Sequence, residues 1–238
     1  MLKNHPSPES PASSRAGRPV NEELRERRRE EILAAAVKLF AGHGYAAADT
    51  QALADALSIG KGTLYRYFPS KEALFLAAVD RGMRQLSEAI DRSVAEIADP
   101  LDQIRAALHT YLAFFEERPE VVELMIQERA QFKDRKRPTY FEHRQSHIGR
   151  WQEVYRGLAA AGRVRDLPAE RVHDVIGDLM YGTMFTNYVA GRRRPLRQQA
   201  QDIVDLIFCG ILSESERDRE VGIRKLETKA SGGRQPPG

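Results

Sequence analysis

Cysteine is nearly missing from this chain: Cys209 is the one thiol in 238 residues. No internal disulfide can form, which fits a reducing compartment and gives a cytoplasmic location as the expectation. Long apolar runs are missing too, and nowhere do the roughly eighteen consecutive apolar residues that cross a bilayer occur. Met1 to Pro19 has no apolar core and does not read as a signal peptide. Nor is charge of one sign in excess. With 37 Lys and Arg against 34 Asp and Glu, the net charge is +3, compatible with a nucleic-acid partner but no argument for one. Alternation of apolar and polar residues at period two is absent, so no strand is expected. The catalytic signatures are absent as well: no nucleophile elbow, phosphate loop, zinc-hydrolase motif or glycine-rich dinucleotide turn. An enzyme is therefore not expected, no catalytic residue is named, and no cofactor is implied.

What is present is helical periodicity. Hydrophobic residues make up 42% of the chain and charged ones 30%, enough for a core in a soluble protein. Ile32, Ala35, Ala36, Leu39 and Phe40 stripe a helix over 21–41, ended by Gly42 and Gly44. Two short helices follow over 50–57 and 61–67. Ser70 is placed to cap a long helix over 71–98. Asp99-Pro100, Arg118-Pro119, Pro138 and Pro168 open four more, over 100–117, 119–133, 138–161 and 168–190, and the last covers 198–213. The expectation is an all-α fold of about nine helices. Residues 1–20 are rich in Pro, Ser, Gly and Ala, and residues 217–238 end in Ser-Gly-Gly-Arg-Gln-Pro-Pro-Gly; they read as a disordered basic arm and a disordered tail. Between them the pattern divides into a small domain over 21–70 and a larger helical domain over 71–216.

The most informative stretch is 49–68. Asp49 or Thr50 can cap the first short helix, the chain breaks at Ser58 to Gly60, and the second helix has only Leu64 and Phe68 to bury. A helix that short does not hold itself together in water. It must be propped on neighbours while its polar side acts outside, as a recognition helix does in a DNA major groove. Lys61, Gly62 and Thr63 form its first turn, where backbone N–H groups are free and the macrodipole is positive. Gly62 lets the backbone approach bases or phosphate closely. Lys61 and Thr63 can reach base edges or phosphates, and the Tyr65 and Tyr67 hydroxyls suit phosphate oxygens. Thr50 and Gln51 are expected on the opposite groove wall, and Lys71 at the start of the following helix is placed to clamp a phosphate. Arg18, in the Arg-Pro pair of the arm, either slips into an adjacent minor groove or belongs to a solvated tail.

Ile32 to Ala36, Leu39-Phe40, Gly44-Tyr45, Leu53-Ala54, Lys61 to Phe68 and Ser70 to Leu74 together resemble the DNA-binding domain of the TetR/AcrR family of transcriptional regulators, over about 25–80. The resemblance implies an all-helical homodimer whose helix-turn-helix units read a palindromic operator. It also implies a small molecule in the C-terminal domain that releases the DNA, so the expected role is a ligand-responsive repressor. The alternative kept beside it is a constitutive DNA-binding or architectural protein without an effector. Two positions depart from the family pattern: Ser58 stands where glycine is common, and Gly60 where a serine-like cap is common. If the backbone at Ser58 needs positive φ, a non-glycine residue is strained, and a reshaped or softer turn is expected.

The second domain mixes aromatic, methionine and polar side chains in a way that resembles a pocket with apolar walls. Tyr111, Phe115, Met125, Arg129, Trp151, Tyr155, Met180, Met184 and Tyr188 are the expected lining, with Asn187 in the same constellation. Apolar stripes on 170–190 (Val172, Val175, Ile176, Leu179) and 198–213 (Ile203, Leu206, Ile207, Ile211) are broad enough to predict a homodimer interface. His143 and His147 have chelating spacing but no third ligand nearby, so no metal is expected. Cys209 is expected as a small core residue.

Overall fold

The computed structural model describes residues 17–191 and 196–210. Residues 1–16 of the arm, residues 192–195, and the chain from Ile211 through the tail lie outside the described residues, as does the side chain of Arg18. Among the described residues the protein is all-helical. The elements are α1 (Gly17–Ala47), α2 (Thr50–Ala56), α3 (Lys61–Tyr67), α4 (Lys71–Val94), α5 (Pro100–Glu117), α6 (Pro119–Gln131), α7 (Thr139–Ala160), α8 (Ala169–Ala190) and α9 (Leu196–Cys209).

Local chemistry explains most of these boundaries. α1 begins four residues before Asn21, because Pro19 in a first turn lacks only an N–H that the helix would leave unpaired. Its regular path breaks at Gly44, where φ is 76° and ψ 156°. That conformation is open to glycine and costly for other residues. Asp49 caps α2 by accepting from the Gln51 N–H at 2.8 Å. Ser70 caps α4 by accepting from the Ala73 N–H at 3.0 Å. Asp99 accepts from the N–H groups of Leu101 and Asp102 at the start of α5 and pairs with Arg163 at 2.8 Å. The Arg163 hydrogen bond, helped by those two N–H groups, holds the Asp99 carboxyl below its usual range.

The chain divides into two compact units, and neither is a single stretch of sequence. The first comprises the described residues up to Arg84 together with Glu123–Glu142; the second comprises Gln85–Val122 and the described residues from His143 on. The first unit therefore includes the start of α4 and a helical excursion from later in the chain, which a division at residue 70 does not contain.

In the first unit, Ile32, Leu33, Ala36 and Phe40 of α1 are fully buried with Leu74, Phe75 and Val79 of α4. Phe75 meets Phe40 edge-on at 5.0 Å, Tyr45 edge-on at 5.2 Å and Phe132 at 5.6 Å. Edge-on aromatic pairs of this kind contribute about 0.5–1.5 kcal/mol beyond area burial. Burial, with Glu72 nearby, pushes the Tyr45 hydroxyl above its ordinary pKa. The excursion is fastened by polar groups. The Gln127 amide donates to the Phe40 carbonyl at 2.9 Å, in the last turn before the Gly44 break. Glu128 is 2% exposed and accepts from the Thr139 N–H at 3.0 Å and hydroxyl at 2.8 Å. Arg135 completes the site with an ion pair at 3.2 Å. A buried carboxylate is tolerated only when it is paired and hydrogen-bonded in this way.

The second unit is built on α5, packed against α8 and α9. Leu108, Leu112, Met180, Ala200, Ile203 and Val204 form its buried cluster, flanked by Ile104, Tyr111, Ile176, Ile207 and Phe208. Arg144 of α7 crosses α8 at Gly177, where an added Cβ would lie 2.5 Å from the guanidinium. Asp178 at 2.8 Å and Asp174 at 3.4 Å hold it there. His173, one turn before Gly177 on α8, is half-buried; burial first, and the Arg144 charge second, lower its pKa against the pull of Asp174 and Asp178.

Two consequences are measurable. Glu128→Leu leaves the Thr139 donors and Arg135 without their partner and is expected to cost about 2–4 kcal/mol in urea unfolding, with Glu128→Gln costing less. For His173 the unfolded chain takes up the proton more readily than the folded one, so its contribution to stability is complete above the ordinary value of about 6.5 and declines as pH falls through it. The urea midpoint is expected to drop between pH 7 and pH 5.5, and His173→Gln to flatten that drop.

Candidate nucleic-acid interface

α3 is seven residues long and owes its position to neighbours. Leu64 is 1% and Phe68 3% exposed, and together they mark its inward side. Arg29 of α1 lies over the Phe68 ring at 5.4 Å, a cation–π contact at the helix end. The turn before α3 sets its direction. Ile59 N–H donates to Ala54 O and Ser58 N–H to Asp55 O, both at 3.0 Å. This is the paired bond set of a Schellman ending, which places the residue after the cap in the left-handed region. That residue is Ser58, with φ 53°. The turn therefore keeps the Schellman geometry, with the strain carried by a serine. Gly60 follows as the cap of α3 with φ −69° and no side-chain bond. Its carbonyl receives the N–H groups of Thr63 at 2.8 Å and Leu64 at 3.2 Å.

The expected site residues separate into two groups. Lys61 and Gly62 are exposed on α3, and Gln51 is half-exposed on α2 with its amide donating to Asp55 at 2.8 Å. A Cβ on Gly62 would meet nothing within 4 Å. No packing inside the fold calls for glycine there, so its penalty of about 1 kcal/mol in a helix finds its reason outside the molecule. Thr63 and Tyr67 are half-buried on the flanks. The remaining residues are held by the fold itself. Thr50 is 6% exposed and its hydroxyl bonds that of Tyr65 at 3.1 Å, which ties α2 to α3 rather than facing a groove. Lys71 donates to the Ala46 carbonyl at 3.0 Å and sits 5.1 Å from the Tyr45 ring, so it pins the corner between α1 and α2. Arg18 falls in the first turn of α1 by its backbone.

Arg66 escaped the sequence reading, which weighed the residues flanking Leu64. It is exposed. A helical step of about 100° per residue, counted from Leu64, would have found it.

The residues expected to line a pocket are distributed differently from the expectation. Met125 and Arg129 belong to the first unit and the others to the second. Arg129 is exposed and donates to the Lys133 carbonyl at 3.2 Å, so it closes the end of α6. Tyr155 donates its hydroxyl to the Arg165 carbonyl, and Arg150 lies over Trp151 at 5.5 Å. Tyr111 and Phe115 meet edge-on at 5.0 Å. Met180 and Met184 are each 3% exposed, while Tyr188 is half-buried. Between them and on the same side of α8 lies Asn187, whose amide nitrogen and oxygen are both out of water and unpaired among the described residues. Of the stripes assigned to a dimer, Ile176, Ile203 and Ile207 belong to the internal cluster. Val175, Leu179 and Leu206 are exposed at 63%, 41% and 50%. Cys209 is exposed and not a core residue, because it lies at the last position of α9. His143 and His147 stack on one face, with the His147 ring bonded to Ser146 and the His143 carbonyl. No metal-binding cluster occurs among the described residues.

Residues 32–78 match the family model of bacterial regulatory proteins, tetR family. The transcriptional activator FasR of Mycolicibacterium smegmatis is 33% identical over 92 residues, 39% of this chain and 42% of the relative. The transcriptional repressor KstR of Mycobacterium tuberculosis is 31% identical over 106 residues, 44% of this chain and 48% of the relative. This chain thus spans about half the length of the curated relatives it matches. Over 77% of the chain and 99% of the neighbour, the fold resembles the transcriptional regulator FadR of Bacillus subtilis in complex with stearoyl-CoA, with a TM-score of 0.64 and 17% identity.

Ser58 supplies the test of the turn. Ser58→Gly is expected to be neutral or stabilising by up to about 1 kcal/mol, and Ser58→Val destabilising by about 1–2 kcal/mol, because only the glycine relieves the left-handed strain. Thermal melts of the two variants read the difference.

Proposed function

We propose, from the premise that this chain belongs to the TetR family of transcriptional regulators, that it binds a palindromic operator as a homodimer and is released from it by a small-molecule effector. The observation that carries the DNA reading is α3: a helix braced at Leu64 and Phe68 that leaves Lys61, Gly62 and Arg66 exposed. Gln51 and Thr63 flank the groove. Tyr67 and Lys71 serve phosphates; an ammonium has three donors, so the bond to Ala46 leaves two for phosphate oxygens. Thr50 acts through Tyr65, holding its ring in place for the same backbone. Arg18 serves the minor groove beside the site. The sign of regulation is repression, as in KstR, although FasR is an activator.

Dimerisation fits the exposed apolar side chains of α8 and α9. Val175, Leu179, Phe185, Val189 and Leu206 all remain in water in a single chain, and such a patch marks an association surface. Two-fold symmetry then sets the recognition helices about 34–36 Å apart, one turn of the duplex. The effector reading rests on Asn187. A buried amide with neither atom paired costs stability and calls for an explanation; a ligand with both an acceptor and a donor supplies one. An acyl-coenzyme A thioester is the first class to try, since FadR is in complex with stearoyl-CoA.

The test is selection of genomic fragments by the purified chain, followed by footprinting and titration with saturated acyl-CoA thioesters of increasing chain length. The expected result is a two-fold symmetric footprint, a steep loss of affinity with salt, and release by one range of chain lengths. A specific footprint that no thioester weakens would leave the constitutive DNA-binding alternative. No preferred sequence at all would overturn the regulator.

A further inference from the structure

The outward face of α3 is centred on one residue that no similarity assigns. Taking Leu64 as the inward direction, a helix of 3.6 residues per turn puts Phe68 about 40° from it and Lys61 about 60°. Thr63 and Tyr65 fall about 100° to either side, and Gly62 and Arg66 about 160° away on opposite flanks of the outward line. From Gly62 on, the burial of the helix follows the same order, with Leu64 and Phe68 buried, Thr63, Tyr65 and Tyr67 intermediate, and Gly62 and Arg66 exposed, while Lys61 in the first turn is exposed as well. Gly62 and Arg66 are one turn apart, so the outermost strip of α3 consists of a bare backbone followed by a guanidinium.

Arg66 has no hydrogen bond, ion pair or ring contact among the described residues. Two arginines of α1 differ in this respect. Arg28 pairs with Glu31 at 2.8 Å, and Arg29 lies over Phe68. The guanidinium of Arg66 therefore pays nothing to leave an internal partner. The clear space above Gly62 removes the side chain that would otherwise hold α3 away from a surface, which lets the residue one turn on reach the groove floor. The floor of the major groove carries base edges, and its walls carry phosphates. Tyr67, at the flank, meets a wall; Arg66, at the centre, meets the floor. A planar fork of N–H donors matches the O6 and N7 acceptors of guanine, and no other base edge in that groove offers two acceptors side by side.

We propose that Arg66 reads a guanine in each half-site and is the principal determinant of operator sequence on α3. This rests on the reading that α3 enters the major groove. Gly62 admits the helix, Leu64 and Phe68 hold it, and Arg66 discriminates.

The experiment uses the full-length protein and the operator obtained by fragment selection, with each base pair of one half-site replaced in turn. Wild type is expected to lose about 10- to 100-fold in affinity when one particular G·C pair is changed. Arg66→Ala is expected to lose that much on the native operator, and to become indifferent at that one pair while keeping the preferences of wild type at all others. Its melting temperature is expected to stay unchanged, since the side chain makes no hydrogen bond, ion pair or ring contact among the described residues. Arg66→Gln provides a gain of function: its amide matches the N6 and N7 edge of adenine, so the preferred pair at that position is expected to change from G·C to A·T. Uniform weakening on every sequence, with all positional preferences intact, would make Arg66 a phosphate contact and overturn the proposal; so would wild-type affinity in Arg66→Ala. If wild type itself selects no sequence, the α3 reading fails before Arg66 is tested, and the two failures are told apart by that control.

Discussion

A helix of seven residues is not a stable object in water, and the use of α3 depends on something else holding it. Its own hydrogen bonds cannot repay nucleation. Burial of Leu64 and Phe68 supplies part of the support, the Thr50–Tyr65 hydroxyl bond another, and the cation–π contact of Arg29 on Phe68 a third. The turn at Ser58 then fixes the entry angle, because its two backbone bonds leave no freedom in the approach to Gly60. The price is one serine in the left-handed region, a strain of about 1 kcal/mol that its surroundings hold in place. Had the support been weaker, the exposed strip of α3 would have no defined direction.

The same logic of outside support recurs at the excursion from Glu123 to Glu142. It belongs to the first unit although it lies well beyond that unit in sequence, and polar bonds fasten it. Gln127 meets the Phe40 carbonyl one turn before the Gly44 break in α1, and Glu128 meets the start of α7 and Arg135. Such bonds are directional, and leaving any of them unmade costs the full desolvation of the buried group. They tolerate one seating of the excursion and penalise its displacement. α4, α6 and α7 each continue by their backbone from one unit into the other.

The second unit is chemically different. Its cluster from α5, α8 and α9 is mostly aliphatic and methionine, while the inward side of α8 carries polar groups that the cluster does not satisfy, Asn187 at one end and the half-buried His173 at the other. Polar groups with unmet bonds are rare in settled interiors. A core assembled for stability alone would have replaced them; in the first unit the buried Gln127 Oε1 is the counterpart among the described residues.

Much of this was legible in the order of residues. Apolar periodicity, caps at Asp49, Ser70 and Asp99, and breaks at Gly44 and the prolines are interactions within a few positions, so the nine helices among the described residues could be read, all but α1 with boundaries within about four residues. Positions whose meaning depends on distant partners could not be read that way. Thr50 and Lys71 have the chemistry of DNA contacts, and only folding showed them bonded to Tyr65 and Ala46; Arg129 and Cys209 lie on helices of suitable pattern, yet both are exposed. Helical spacing says which residues share a side, not what that side meets. The order of residues by itself determined where helices begin and end and that one of them needs support. The tertiary structure decided which side chains provide that support and which remain free, because burial and hydrogen bonding join residues that the chain keeps far apart.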